Sequence, residues 1–184
     1  MSDLSPVITS VERARGLPNA HYVDPAMWAR ERDEVLFANW SGIGFGKDAL
    51  NPGDAMPVDF LGVPLLMVRD RDGTLRVFQN TCRHRGMILV TEPGPIKGAI
   101  RCPYHSWCYA LNGELRATPH VGGPGQNTHN EIDRAMLGLI EVPSHVFMDV
   151  VFVNLSGTAA SFDDAHADLL GRWSEFANQP MAFG

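Results

Sequence analysis

Two short runs of cysteine and histidine carry the residues best able to do chemistry in this chain. The first reads Cys82-Arg83-His84-Arg85-Gly86, the second Cys102-Pro103-Tyr104-His105-Ser106-Trp107. Their spacings are C-x-H and C-x-x-H, with residues 85–101 between His84 and Cys102. Neither spacing suits a long helical face. Each suits a turn that curls one thiolate and one imidazole toward a common point. Two such turns side by side offer two sulfur and two nitrogen donors. A structural zinc ion is one reading of that set. Zinc sites, however, usually pair Cys with Cys and His with His along the chain, and each loop here mixes the two. Mixed loops favour a binuclear iron–sulfur cluster, with Cys82 and Cys102 on one iron and His84 and His105 on the other. Zinc stays open as the alternative.

The string NTCRHRG, then CPYHSWCY, then NGEL resembles the N-terminal Rieske [2Fe-2S] domain of ring-hydroxylating oxygenase large (alpha) subunits. The resemblance runs from about Leu17 to Asn154 and takes in the weaker strings VLFANW, PVDFLGVPLLMVRDRDGTLRVFQN and VVFVNL. It implies an iron-sulfur protein whose metal-binding residues are Cys82, His84, Cys102 and His105. It also implies electron transfer from a reductase or ferredoxin to a mononuclear Fe(II), within an oxidoreductase that forms a homo-trimer at full length. In that family the second iron is held by two His and one carboxylate in a larger C-terminal domain. After Val153 this sequence offers His166 alone. The expectation is therefore a fragment or shortened form of an oxygenase subunit, catalytically incomplete by itself, whose substrate is not legible. A stand-alone Rieske-type ferredoxin is the alternative. A helix on either side of the cluster domain argues against it, because a minimal carrier needs neither.

Related Rieske proteins of respiratory and photosynthetic complexes carry a disulfide between their loops, and Met87 and Tyr104 occupy those positions here. A hydroxyl that donates to a bridging sulfur in those proteins falls at Trp107, which has none. Fewer hydrogen bonds to sulfur leave the reduced cluster less stabilised, so the expected potential lies at the low end of the Rieske range, about −150 mV. Cys108 is read as a buried thiol and Trp107 as packing against the cluster. Arg83 and Arg85 either complement the negative charge gained on reduction or pair with the strand framework, the structural role being favoured for Arg85. His21, His120, His129, His145 and His166 share no spacing and are assigned to surfaces and loops, His120 and His129 lying nearest the cluster loops.

The elements that must position these loops read as mainly β: a Rieske domain of antiparallel sheets, flanked by an N-terminal and a C-terminal helix. Residues 1–39 form an arm and helix, 40–155 the cluster domain, and 156–184 a helix leading toward the catalytic domain. Asp24-Pro25 caps a helix expected over 25–38, with Trp28, Val35 and Leu36 as its packing face. Strands are expected over 40–45, 56–60, 63–69, 75–79, 99–101, 107–109, 115–117, 138–142 and 146–155. Asp70–Gly73 and Asn112-Gly113 read as hairpin turns. Residues 91–97 and 118–130 read as loops. Ser161 caps the last helix, whose face is Phe162, Ala165, Leu169, Trp173 and Phe176.

Composition narrows the class. The chain has 184 residues, is 45% hydrophobic and 20% charged, and carries a formal charge of −6. That balance supports one globular domain and disfavours nucleic acid or an anionic membrane as partner. The start, Met-Ser-Asp-Leu-Ser-Pro, is not a secretory signal, and a cytoplasmic location is expected. With two of three cysteines used by a cluster, no pair remains for a disulfide.

Overall fold

The computed structural model describes residues 3–176 and 179. The ends of the two flanking segments, 1–2, 177–178 and 180–184, lie outside the described residues. Three antiparallel sheets make up the body. The largest has the strand order β4-β3-β2-β5, from β2 (Asp54–Phe60), β3 (Val63–Arg69), β4 (Leu75–Gln79) and the two-residue β5 (Gly94–Pro95). The second has the order β1-β10-β9, from β1 (Ser41–Phe45), β9 (Ser144–Phe147) and β10 (Val150–Val153). The third, β6-β7-β8, comprises Ile100–Arg101, Cys108–Tyr109 and Leu115–Ala117. Strand β5 emerges from the stretch expected to be loop and pairs Asp54 with Pro95.

The central strand is β3, paired on both edges and buried on both faces. Successive side chains of a strand point to opposite sides, so Leu66 and Val68 enter one core while Leu65 and Met67 enter another. The first core also contains Phe78, Leu89, Ile100, Trp107, Tyr109 and both loop cysteines. The second joins Val77 to Val142, Val151 and Val153. The hairpin between β3 and β4 closes as expected, with the Gly73 N–H donating to the Asp70 carbonyl at 3.0 Å.

Four expectations need correction. The single strand over 146–155 is a hairpin, because Met148 and Asp149 both take positive φ (49° and 68°) and reverse the chain. Asp149 is a type that tolerates the left-handed region, but Met148 is not, and no glycine beside them marks the turn. Residues 138–142 form only an isolated antiparallel bridge, Phe78 to Glu141, in which the Gln79 N–H donates to the Ile140 carbonyl and the Val142 N–H to the Val77 carbonyl. The N-terminal helix is capped as expected, the Ala26 N–H donating to Asp24 Oδ1 at 2.8 Å. It runs as α-helix over α2 (Pro25–Glu31) and widens to a π turn over Arg32–Leu36. No residue of either stretch is buried, and Trp28 is 47% exposed. The expected packing face therefore lies open among the described residues. The arm before it is not fully irregular: α1 (Ala20–Val23) precedes α2.

At the other end, the Asp164 N–H donates to Ser161 Oγ at 3.2 Å and α3 (Phe162–Ala165) follows, as the sequence indicated. The helix breaks at His166 before α4 (Ala167–Arg172). Phe162 is buried, whereas Trp173 and Phe176 are 44% and 39% exposed. Only the start of that face packs. His145 and His166 are not mere surface groups: their rings stack on Phe162 at 4.1 and 4.3 Å. Buried Asn154 ties the sheet to the end of the N-terminal helical segment by donating to the Ala38 and Asn39 carbonyls at 3.0 Å each. No helix among the described residues is long and apolar enough to cross a membrane.

Candidate metal centre

Each Cys–His run sits at the tip of a hairpin, and the two tips are built alike. Thr81 bridges Ile88 below the first tip; Arg101 pairs with Cys108 below the second. In the first loop the Cys82 N–H donates to the Met87 carbonyl (2.8 Å) and the Gly86 N–H donates back to the Cys82 carbonyl (2.9 Å). In the second the Cys102 N–H donates to Trp107 (2.8 Å) and the Ser106 N–H to Cys102 (3.1 Å). The fifth residue of each loop must turn left-handed. Gly86 does so at φ 69° without a Cβ penalty, whereas Ser106 does so at φ 60° against one. Each cysteine is thus clasped by its own backbone, and the imidazole two or three residues later is carried over the tip.

The two tips meet. The His84 and His105 rings lie 4.7 Å apart at 71°. Trp107, buried, stacks on His84 at 4.7 Å and 10°. Tyr104 rests against His105 at 3.8 Å between ring centres while remaining 59% exposed. Cys82, Cys102 and Cys108 are all buried and free. Cys108 donates its S–H to the Ser106 carbonyl at 3.1 Å, as expected of a structural thiol. Arg85 has no ion-pair partner among the described residues, contrary to the structural role expected for it.

One contact was not foreseen. The Tyr109 hydroxyl lies 3.2 Å from Cys82 Sγ and accepts the Arg83 N–H at 3.0 Å. Once Cys82 is a thiolate the hydroxyl is the donor, since the sulfur then has no proton to give. The sequence placed Tyr109 on a strand but could not show that its phenol crosses to the other loop. The only available signal was its position two residues beyond Trp107, on the same face of the strand. Burial pushes the Tyr109 phenol far above its ordinary range, and the Cys82 sulfur adds to that. Burial also pushes the Cys82 thiol up, against the hydrogen bond from Tyr109. Burial holds the His84 imidazole below its ordinary value, with His105 and Arg85 acting in the same direction. A neutral imidazole is the form that binds a metal.

A buffer of ordered hydrogen bonds lies behind the tips. Buried Asn80 donates to the Val90 carbonyl at 2.7 Å and accepts the Val90 N–H at 3.0 Å, closing the segment that leaves the first loop onto the end of the segment that enters it. His105 Nδ1 is buried and has no hydrogen-bond partner. Such an orphan is uncommon in a folded protein, and a metal bond satisfies it. A donor set of two thiols and two imidazoles, with an unpaired buried nitrogen, fits a binuclear cluster.

The family model for the Rieske [2Fe-2S] domain matches residues 40–135. The chain belongs to this family. A Rieske domain implies a [2Fe-2S] cluster as cofactor. Among curated relatives, the carnitine monooxygenase oxygenase subunit of Escherichia coli K12 is 29% identical over 171 residues, which is 89% of this chain and 44% of that protein. The glycine betaine monooxygenase oxygenase subunit of Chromohalobacter salexigens is 31% identical over 153 residues, 83% of this chain and 33% of that protein. Among solved structures, the quaternary ammonium Rieske monooxygenase CntA with gamma-butyrobetaine matches at TM-score 0.78 and 23% identity, over 93% of this chain and 46% of that one. Naphthalene 1,2-dioxygenase from Rhodococcus sp. matches at TM-score 0.73 and 26% identity, over 83% and 34%. The Rieske chain therefore spans less than half the length of the proteins it resembles.

Proposed function

We propose that this chain relays single electrons through a Rieske cluster, with Cys82 and Cys102 on one iron and His84 and His105 on the other. In this reading it is the electron-receiving domain of a Rieske non-haem iron oxygenase. The observation that carries it is the pair of matched loops, which bring two buried thiols and two adjoining imidazoles together at hairpin tips. When bound, the cluster supplies one-electron redox chemistry at the imidazole-ligated iron. The chain's own residues do the rest. The backbone clasps fix both sulfurs. Trp107 holds the plane of His84 and keeps water from it. Tyr109 donates to the Cys82 sulfur, and the second nitrogen of each imidazole is available to carry a proton.

The electrons then pass to a mononuclear iron in the part of such a subunit that this sequence does not span. Residues 40–155 are the cluster unit, with 1–39 and 156–184 as flanking segments. An electron-donor reductase or ferredoxin supplies the electrons, the full-length protein is a homo-trimer, and its location is cytoplasmic. Relatives named for carnitine, choline and glycine betaine make small quaternary ammonium compounds the substrate class to test first.

The test is metal analysis and electron paramagnetic resonance of the purified chain. Two irons and two sulfides per chain, with a Rieske signal on reduction, are expected. His84→Ala and His105→Ala should each abolish that signal. A colourless protein with one zinc per chain, or unchanged iron content in both variants, would overturn the assignment.

A further inference from the structure

We propose that the cavity at the junction of α1 and α2, outside the cluster loops, binds a small methylated ammonium cation, held on the Trp28 and Tyr22 rings and by the Asp24 and Glu31 carboxylates. This goes beyond the electron-relay reading and does not depend on it. The cavity holds about 330 Å³, and its wall includes His21, Tyr22, Asp24, Pro25, Trp28 and Glu31. That volume lies at the small end for ligand sites, so it suits a compact ligand.

The helix explains why these residues share one wall. Asp24 is the N-cap of α2, and Trp28 and Glu31 follow it within the helix. Residues at i, i+4 and i+7 lie on one helical face, so a carboxylate stands a turn away from the indole on either side. Neither carboxylate is fully engaged. Asp24 commits Oδ1 to the Ala26 N–H at 2.8 Å and keeps its second oxygen. Among the described residues the Glu31 side chain makes no hydrogen bond or ion pair. The neighbouring arginines are held elsewhere, Arg30 by Glu34 and Arg32 by Asp33, both at 2.8 Å. No Lys or Arg among the described residues lines the cavity.

The chemistry of that wall selects the ligand. Aromatic faces attract cations through the ring quadrupole, Trp most strongly, and quaternary ammonium groups are ligands that such faces recognise. A methylated ammonium has no N–H to satisfy, so a carboxylate beside the ring adds attraction without demanding a hydrogen bond. His21 Nε2 is buried and has no hydrogen-bond partner; a hydroxyl on the ligand would supply one. Other cavities lack this set. In the one lined by Phe37 and Glu141, Arg76 holds the carboxylate at 3.1 Å and Arg32 already lies 5.6 Å over the Phe37 ring. The one beside Pro57 and Asp59 has no aromatic side chain.

The probe is choline, titrated into the purified chain. Binding is read on the Trp28 indole N–H resonance, which the Trp28→Phe spectrum identifies, and by saturation transfer to the choline methyl protons. A saturable response in roughly the millimolar range is expected. The neutral isostere of choline, with carbon in place of the ammonium nitrogen, should bind at least roughly tenfold more weakly. Glu31→Gln should weaken choline about three- to tenfold, and Trp28→Phe about two- to threefold, since Phe has the weaker face. Trp173→Ala, at an exposed indole outside this cavity, should leave the affinity unchanged. Unaltered unfolding midpoints certify that the variants fold, and the isostere comparison needs no variant at all.

Equal binding of the neutral isostere, no saturable response up to about 100 mM choline, or an affinity indifferent to both Glu31→Gln and Trp28→Phe overturns the proposal. So does a Trp28 signal that moves with protein concentration and not with choline, which would make this face a contact between two copies. A response to phosphatidylcholine vesicles without one to free choline overturns it as well. The choline titration and the Rieske signal are separate readouts, so failure of either leaves the other reading standing.

Discussion

Replacing Tyr109 with Phe removes one hydroxyl and, with it, the donor 3.2 Å from Cys82 Sγ. A hydrogen bond to a charged acceptor contributes about 1.5–3 kcal/mol. The part that matters for the potential is the gain on reduction, when the cluster takes on one more negative charge. Under the proposed ligation that charge would settle mainly on the iron held by His84 and His105, so the sulfur of Cys82 would feel a fraction of it. Taking roughly a third gives about 0.5–1 kcal/mol in favour of the reduced state. For one electron, 59 mV corresponds to about 1.4 kcal/mol, so the midpoint of Tyr109→Phe should fall by about 20–40 mV. The same bond lifts the unaltered chain above the low-end potential that the missing hydroxyl at Trp107 alone would imply. A redox titration followed by electron paramagnetic resonance measures the shift, and an unchanged line shape certifies that the cluster is intact. A midpoint that holds within about 10 mV, or rises, would refute the argument that this phenol tunes the centre.

Three further outcomes concern the frame around the site. Ser106→Gly relieves the left-handed φ of 60° and should stabilise the chain by about 0.5–1 kcal/mol, read as a higher urea midpoint with the Rieske signal kept. Asn80→Ala leaves the Val90 N–H and carbonyl without partners and should destabilise by about 2–3 kcal/mol, visible in the same unfolding curve. Gly113→Ala places a Cβ 2.7 Å from the Phe78 ring at a φ of +88°, and should lower stability by about 2 kcal/mol. An unchanged melting temperature in that variant would show that the turn and ring yield freely.

The sequence made the two loops legible because cysteine and histidine at fixed short spacings leave few chemical uses. It also exposed the hairpins marked by Asp70–Gly73 and Asn112-Gly113, since such residues tolerate the required backbone angles. Three features stayed hidden for physical reasons. The turn at Met148 and Asp149 is imposed by pairing on both sides, not by local preference. The phenol of Tyr109 reaches Cys82 only because β6 and β7 lift it across 27 positions of sequence separation. The uncovered helix over Pro25–Glu31 has the pattern of a packing face, and a pattern reveals amphipathicity without naming what covers it.

Strand β3 divides its four consecutive buried residues, Leu65 to Val68, between two hydrophobic cores. One of those cores reaches the loop cysteines and the other the β1-β10-β9 sheet. A wall shared by two rooms cannot be removed from only one of them. Loosening this strand should therefore release the redox tips and the distant sheet in a single event, and amide protons in Leu66 and Val151 should exchange with solvent at matching rates.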